Sequence, residues 1–140
     1  MTDAKHESRN VETARAYLSA SSEKDYDTCV GLLADEYVFI DHSTSDHPAT
    51  PEEMAQALAD ADAWTDKVFE IKRVFDGPDN TVVMQYTVAQ THSGSWRGIP
   101  ATGKRATWAA CILFCFDRRG RILSEEYYAD ALTVMRQIGL

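Results

Sequence analysis

Long apolar runs in this sequence end in a histidine, in carboxyl groups and in a phenol, the residue types that could move protons at the wall of a cavity. His92 closes "TVVMQYTVAQTH", in which Val82, Met84, Tyr86 and Val88 share one parity. Strict alternation carries Gln90 and His92 onto the same face, aimed at the interior. In "ILSEEYYAD", Ile122, Ser124, Glu126, Tyr128 and Asp130 share one parity, and Leu123, Glu125 and Tyr127 the other. With Ile122 inward, the first set delivers a carboxylate, a phenol and a second carboxylate to the interior. A carboxyl group in apolar surroundings has its charged form disfavoured, so its pKa rises and it becomes a general acid or base near neutrality. Two readings stay open at each position. His92 either faces the cavity or hydrogen-bonds loop backbone; Asp130 either does chemistry or caps the helix that opens with "ALTVMRQ". Glu125 and Glu126 cannot both point inward.

The segment after His92 has its own signal. Ser93 to Gly103 is longer than a hairpin turn requires and carries Trp96, Ile99 and Pro100, as a lid or binding loop would. A further polar cluster, "FIDHSTSDHP", holds Asp41, His42, Asp46 and His47. Metal sites need three or four converging ligands, and neither an H-x-H nor an H-E-x-x-H pattern occurs. A polar loop at the cavity mouth, with His42 or Asp41 lining the entrance, is the expectation. Cys29, Cys111 and Cys115 form no C-x-x-C pair and read as free, reduced thiols. Nucleophile-elbow, phosphate-loop and dinucleotide fingerprints are absent from the sequence.

These groups need elements to position them. The 140 residues, 44% apolar and 26% charged, are expected to form one domain over 1–140. A net charge of −8 argues against a nucleic-acid partner. No run is long enough to span a membrane, and the polar start "MTDAKHESRN" lacks a signal-peptide core, so a cytoplasmic protein is expected, with no role for His6. Apolar stripes predict helices over about Ser8–Ala20 (Val11, Ala14, Leu18) and Asp25–Leu33. Thr50, Pro51 and Glu53 form a capping box that opens a third helix, ending near Trp64. From there the period changes to two. "YVFIDH" precedes that helix as a short strand. "KVFEIKRVFD", "TVVMQYTVAQTH", "KRATWAACILFCFD" and "ILSEEYYAD" follow as long ones, before a last helix from Ala131 to Ile138. Helices first and strands after give an α+β domain: a curved, mostly antiparallel sheet wrapped around the N-terminal helices, with a pocket between them.

"THSGSWRGIPATGKR" resembles the T-H-x-G-x-(aromatic)-x-G-I-P-x-T-G-K segment of the SnoaL-like polyketide cyclases, in the NTF2-like superfamily. "ILSEEYYADALTVMRQIGL" is similar to that family's ending. The two segments cover about a quarter of the chain. The resemblance implies an NTF2-like cone around a deep apolar pocket, in a homodimer or larger oligomer, with no cofactor and no metal. It implies acid–base catalysis of intramolecular aldol ring closure on a small apolar, polyketide-like substrate. Carried over by position, the catalytic pair is His92 and Asp130. The substrate-binding set is Tyr128, Trp96, Ile99, Tyr86, Met84, Trp108, His42 and Asp41, with Trp96 and Ile99 covering the pocket. The sequence departs from the family where Tyr127 and Tyr128 stand in place of a common tryptophan. The same fold also hosts isomerases, dehydratases and epoxide hydrolases, and a non-catalytic ligand-binding or dimerisation module is the reading from outside enzymology.

Overall fold

Ser8 caps the first helix: its hydroxyl accepts the Val11 N–H at 3.1 Å and donates to Asp76 at 2.8 Å, tying that helix to the end of a distant strand. A computed structural model describes residues 7–140, so His6 lies outside the described residues. The elements run α1 (Arg9–Ser22), α2 (Tyr26–Gly31), β1 (Leu33–Asp41), α3 (Pro51–Asp62), β2 (Trp64–Asp76), β3 (Thr81–His92), β4 (Arg105–Phe116), β5 (Ile122–Ala129) and α4 (Ala131–Gln137). The strands make one five-stranded sheet in the order β1-β5-β4-β3-β2, antiparallel except for the parallel β1–β5 pair. This is the α+β cone expected from the sequence, with the helices against the concave face. Among the described residues no helix is long and apolar enough to cross a membrane.

The core follows the period-two pattern. Val82, Met84, Tyr86 and Val88 of β3 and Ala110, Ile112, Phe114 and Phe116 of β4 are buried together, and Val11, Ala14 and Leu18 of α1 pack on them. Met84 belongs wholly to this core, at 0% exposure. The β2–β3 turn places Asp79 and Asn80 at φ 58° and 56°, the left-handed conformation that Asp and Asn tolerate best among residues with a side chain.

The predicted capping box at Thr50 is present in full: Thr50 Oγ1 accepts from Glu53 N–H, and Glu53 accepts from Thr50 N–H. The helix it opens ends at Asp62, and Trp64 begins β2. No residue of α3 is buried, although Met54, Leu58 and Ala61 form an apolar stripe. That stripe roofs a hollow space.

Candidate active site

The concave face of the sheet, α1 and α3 enclose a cavity of about 660 Å3. Tyr86, Val88, Trp108 and Ile112 line its wall, and Gln56, Ala57, Asp60 and Ala61 of α3 close it above. Ser43, Thr44, Arg97 and Gly98 edge it from the loops.

The strongest chemical feature is Glu125. Its residue is 7% exposed, its carboxyl lines the cavity, and Tyr37 Oη donates to its Oε1 at 2.8 Å. Burial raises the Glu125 pKa. The phenols of Tyr17 and Tyr37 and the Lys67 ammonium oppose that rise, and the negative charge of Asp41 adds to it. In turn, burial and the neighbouring carboxylate hold the Tyr17 and Tyr37 phenols far above their ordinary value. They therefore stay protonated and serve as donors.

A bulge brings Glu125 inside. Phe116 pairs with Ile122 while the adjacent Cys115 pairs with Ser124, so Leu123 is an extra residue in β5. Ile122 points into the core, at 0% exposure, and after Leu123 the alternation resumes in the opposite phase. Glu125, Tyr127 and Ala129 then line the cavity. A second irregularity, between Thr65 and Val68 of β2 with Asp66 at φ 54°, turns Lys67 to the same cavity, where burial lowers its pKa.

Two further groups face the space. Trp108 Nε1 donates to Tyr127 Oη at 3.2 Å, and burial pushes the Tyr127 pKa up to about 12, so its own proton remains available to a bound oxygen. Arg97 lies with Nη2 3.9 Å from Asp41 Oδ2 and donates to Ser43 Oγ at 3.1 Å, while its guanidinium sits 4.7 Å above the Trp96 ring. Its backbone N–H donates to Asp60 of α3 at 3.3 Å, which links the β3–β4 loop to the roof. The loop folds tightly because Trp96 and Ile99 bridge each other and Gly98 takes φ 78°. Gly94 passes so near Ala63 that a Cβ would sit 3.1 Å from the Ala63 Cα.

Of the residues expected at the site, Trp96, Tyr86, Trp108 and Asp41 line the cavity. The remaining six lie elsewhere. His92 faces inward but is sealed behind Trp64 and Trp96, with ring centroids at 5.1 and 6.4 Å. Its Nδ1 accepts the Thr102 N–H at 3.3 Å and lies 3.0 Å from Thr102 Oγ1, which leaves the proton on Nε2. That Nε2 has no hydrogen-bond partner among the described residues. Asp130 is exposed and caps α4, accepting from the Leu132 and Thr133 N–H groups and from Thr133 Oγ1. The Thr133 bonds hold its pKa below the ordinary value.

Tyr128 is 44% exposed on the outer face, stacked on His42 at 4.3 Å, and His42 Nε2 meets Glu126 at 2.8 Å. The Leu123 bulge is the reason that Tyr128 and Glu126 turn outward. Ile99 packs with the Trp96 cluster beside α4, and Met84 is core. The Asp41–His47 cluster disperses: Asp41 faces the cavity, His42 the outer sheet face, and His47 pairs with Glu53 at the start of α3. Sequence reasoning did not single out Arg97, Lys67, Tyr17, Tyr37 or Trp64. Glu125 was visible only as the opposite parity of β5, and Tyr127 as that parity and as a departure from the family's tryptophan.

An open cone of this topology with a buried carboxyl, phenols and indoles in its cavity defines an NTF2-like pocket protein. The SnoaL-like polyketide cyclase family matches residues 11–138, and the chain belongs to that family. No functionally curated protein matches the sequence significantly. Among solved structures, the chain is similar to a provisionally named SnoaL-like polyketide cyclase from Jannaschia sp. CCS1, with TM-score 0.81, 20% identity and coverage of 99% of this chain and 96% of that one. An LEH-like epoxide hydrolase from M. tuberculosis superposes with TM-score 0.67 at 19% identity, over 93% and 89% of the two chains. A ketosteroid isomerase-like fold from Catenulispora acidiphila DSM 44928, solved with trimethylamine, gives 0.71 at 18% identity, over 92% and 93%. At these identities the likeness establishes the fold.

Proposed function

We propose that this protein is a cofactor-independent acid–base enzyme of the polyketide cyclase type, promoting intramolecular aldol ring closure, with Glu125 as the group that carries the proton. The observation that supports this reading is a carboxyl buried to 7% exposure against an otherwise largely apolar cavity, its pKa raised by that burial. As carboxylate, Glu125 would take a proton from a carbon next to a carbonyl group. The resulting enolate carbon bonds to a second carbonyl carbon of the same molecule. The proton on Glu125 then passes to the new alkoxide, so the carboxylate is regenerated and atoms balance. The Tyr127 phenol, polarised by the Trp108 N–H, and the Arg97 guanidinium are placed to stabilise the oxygen on which charge builds. The aromatic walls would fold the chain into a near-attack geometry.

In this reading His92 holds the β3–β4 loop and Asp130 anchors α4, so both support the site without touching substrate. Isomerisation needs the same base and oxygen donors without the second carbonyl, and product analysis separates the two reactions. The outer sheet face, with Val83, Cys111 and Leu113 half-buried, is the surface on which a homodimer would form, to be checked by sedimentation.

The test is Glu125→Gln, assayed on linear diketones that cyclise by aldol chemistry. The amide oxygen keeps an acceptor for Tyr37, so the protein is expected to fold and bind while kcat falls by about 10²–10⁴, the usual worth of a general base. Retained kcat would overturn the assignment.

A further inference from the structure

A second cavity, of about 460 Å3, lies between α2, α3 and the start of β2. Its walls include Cys29, Val30, Leu33, Met54 and Leu58, and the charged residues that border it alone, Glu23, Lys24 and Asp66, are solvent-exposed. Tyr17, Ser21, Ala61, Trp64, Lys67 and Gln90 border both cavities. The two chambers therefore meet at a neck, with an indole face on one side and an ammonium, an amide and hydroxyls around it. No side-chain hydrogen bond occupies the Lys67 ammonium or the Gln90 amide among the described residues, so their donors are free for a ligand.

The α3 roof spans both chambers with no buried residue of its own. An apolar helix stripe left without a protein core to cover it gains burial only from what fills the space beneath. The groups divide unevenly: Glu125, Tyr127, Asp41 and Arg97 border the larger chamber only, whereas the charged residues of the smaller one alone, Glu23, Lys24 and Asp66, are solvent-exposed, and Tyr37 donates its phenol hydrogen bond to Glu125.

From this division we infer that the site takes an elongated amphiphile, a carbonyl-bearing head in the larger chamber joined to an unbranched aliphatic tail that passes the Lys67–Gln90 neck into the smaller one. A carbonyl oxygen at the junction accepts from Lys67 or Gln90, while Trp64 covers the chain as it passes. The inference deepens the proposed acid–base reading and rests on it for the identity of the head. The tail chamber stands on its own geometry. Chain length thus becomes a determinant of specificity, set by Cys29, Val30 and Leu58 at a distance from the reacting carbons.

The experiment is calorimetric titration of the full chain with methyl alkyl ketones from butanone to dodecanone. Affinity is expected to rise about fourfold per methylene, the equivalent of about 0.8 kcal/mol, until the tail fills the side chamber. Leu58→Trp narrows that chamber from the half-exposed face of α3. It should end the rise at a shorter chain; Met54→Phe is the second variant should the first not fold. A flat series in the wild-type protein, or an identical series in a folded narrowed variant, would overturn the inference. Glu125→Gln should leave the chain-length dependence in place. If that dependence holds but Glu125→Gln retains full turnover, the two-chamber site stands and the acid–base assignment falls.

Discussion

His92 and Glu125 are both buried and titratable, and replacing His92 separates a structural role from a chemical one. His92 is fully buried, packs on Trp64 and Trp96, and takes the Thr102 N–H on Nδ1. In His92→Ala, the emptied volume and lost contacts cost about 3–4 kcal/mol by analogy with other large-to-small core changes, and the lost Thr102 bonds about 1 kcal/mol. Against that, the change removes a buried Nε2–H without a partner, which offsets about 1–2 kcal/mol. The net loss is about 3 kcal/mol, or a fall in Tm of about 10 °C for a chain of this size. The Thr102 anchor also orders the loop carrying Trp96 and Arg97, so KM should rise. Thermal unfolding by circular dichroism and diketone cyclisation kinetics well below Tm read the two effects separately. Expected are the lowered Tm, a raised KM and a kcat within about tenfold of wild type. An unchanged Tm with kcat reduced by about 10²–10⁴, the worth of a general base, would refute the reasoning and return His92 to the chemistry.

Asp130→Asn keeps an N-cap of equal quality, so helix α4 and kcat should both survive, as measured by far-ultraviolet circular dichroism and turnover; loss of kcat with α4 intact would make Asp130 a reacting group. Lys67→Met removes a positive charge that lowers the Glu125 pKa. Since Glu125 acts as a base only when ionised, the acid limb of kcat/KM should move to higher pH in that variant, and a shift to lower pH would contradict the placement of the two groups.

The parts of the fold legible in the sequence were those fixed by local periodicity and capping. The alternation of Val82–Val88 and Ala106–Phe116 identified the inward faces of β3 and β4, and Thr50–Glu53 identified the start of α3, because one residue's phase sets the rest. The site was less legible because two bulges decide it. Leu123 is an ordinary strand residue. Only its pairing against β4, where Cys115 and Phe116 match Ser124 and Ile122, reverses the parity and exchanges Glu126, Tyr128 and Asp130 for Glu125 and Tyr127. Lys67 turns inward through Asp66 at φ 54°, a conformation that no neighbouring residue signals. The cap reading of Asp130 was available from its position before "ALTVMRQ", and the structure gives the geometry of that cap in full.

The central claim is that burial holds the Glu125 carboxyl protonated beyond the ordinary glutamate range, ready to exchange a proton in the cavity. The most direct measurement is a carbon-13 NMR titration of side-chain carboxyl signals in labelled protein, with the Glu125 resonance assigned by its loss in Glu125→Gln. The account predicts a midpoint clearly above that of an exposed glutamate, about 4.3. A midpoint at or below that value would contradict it.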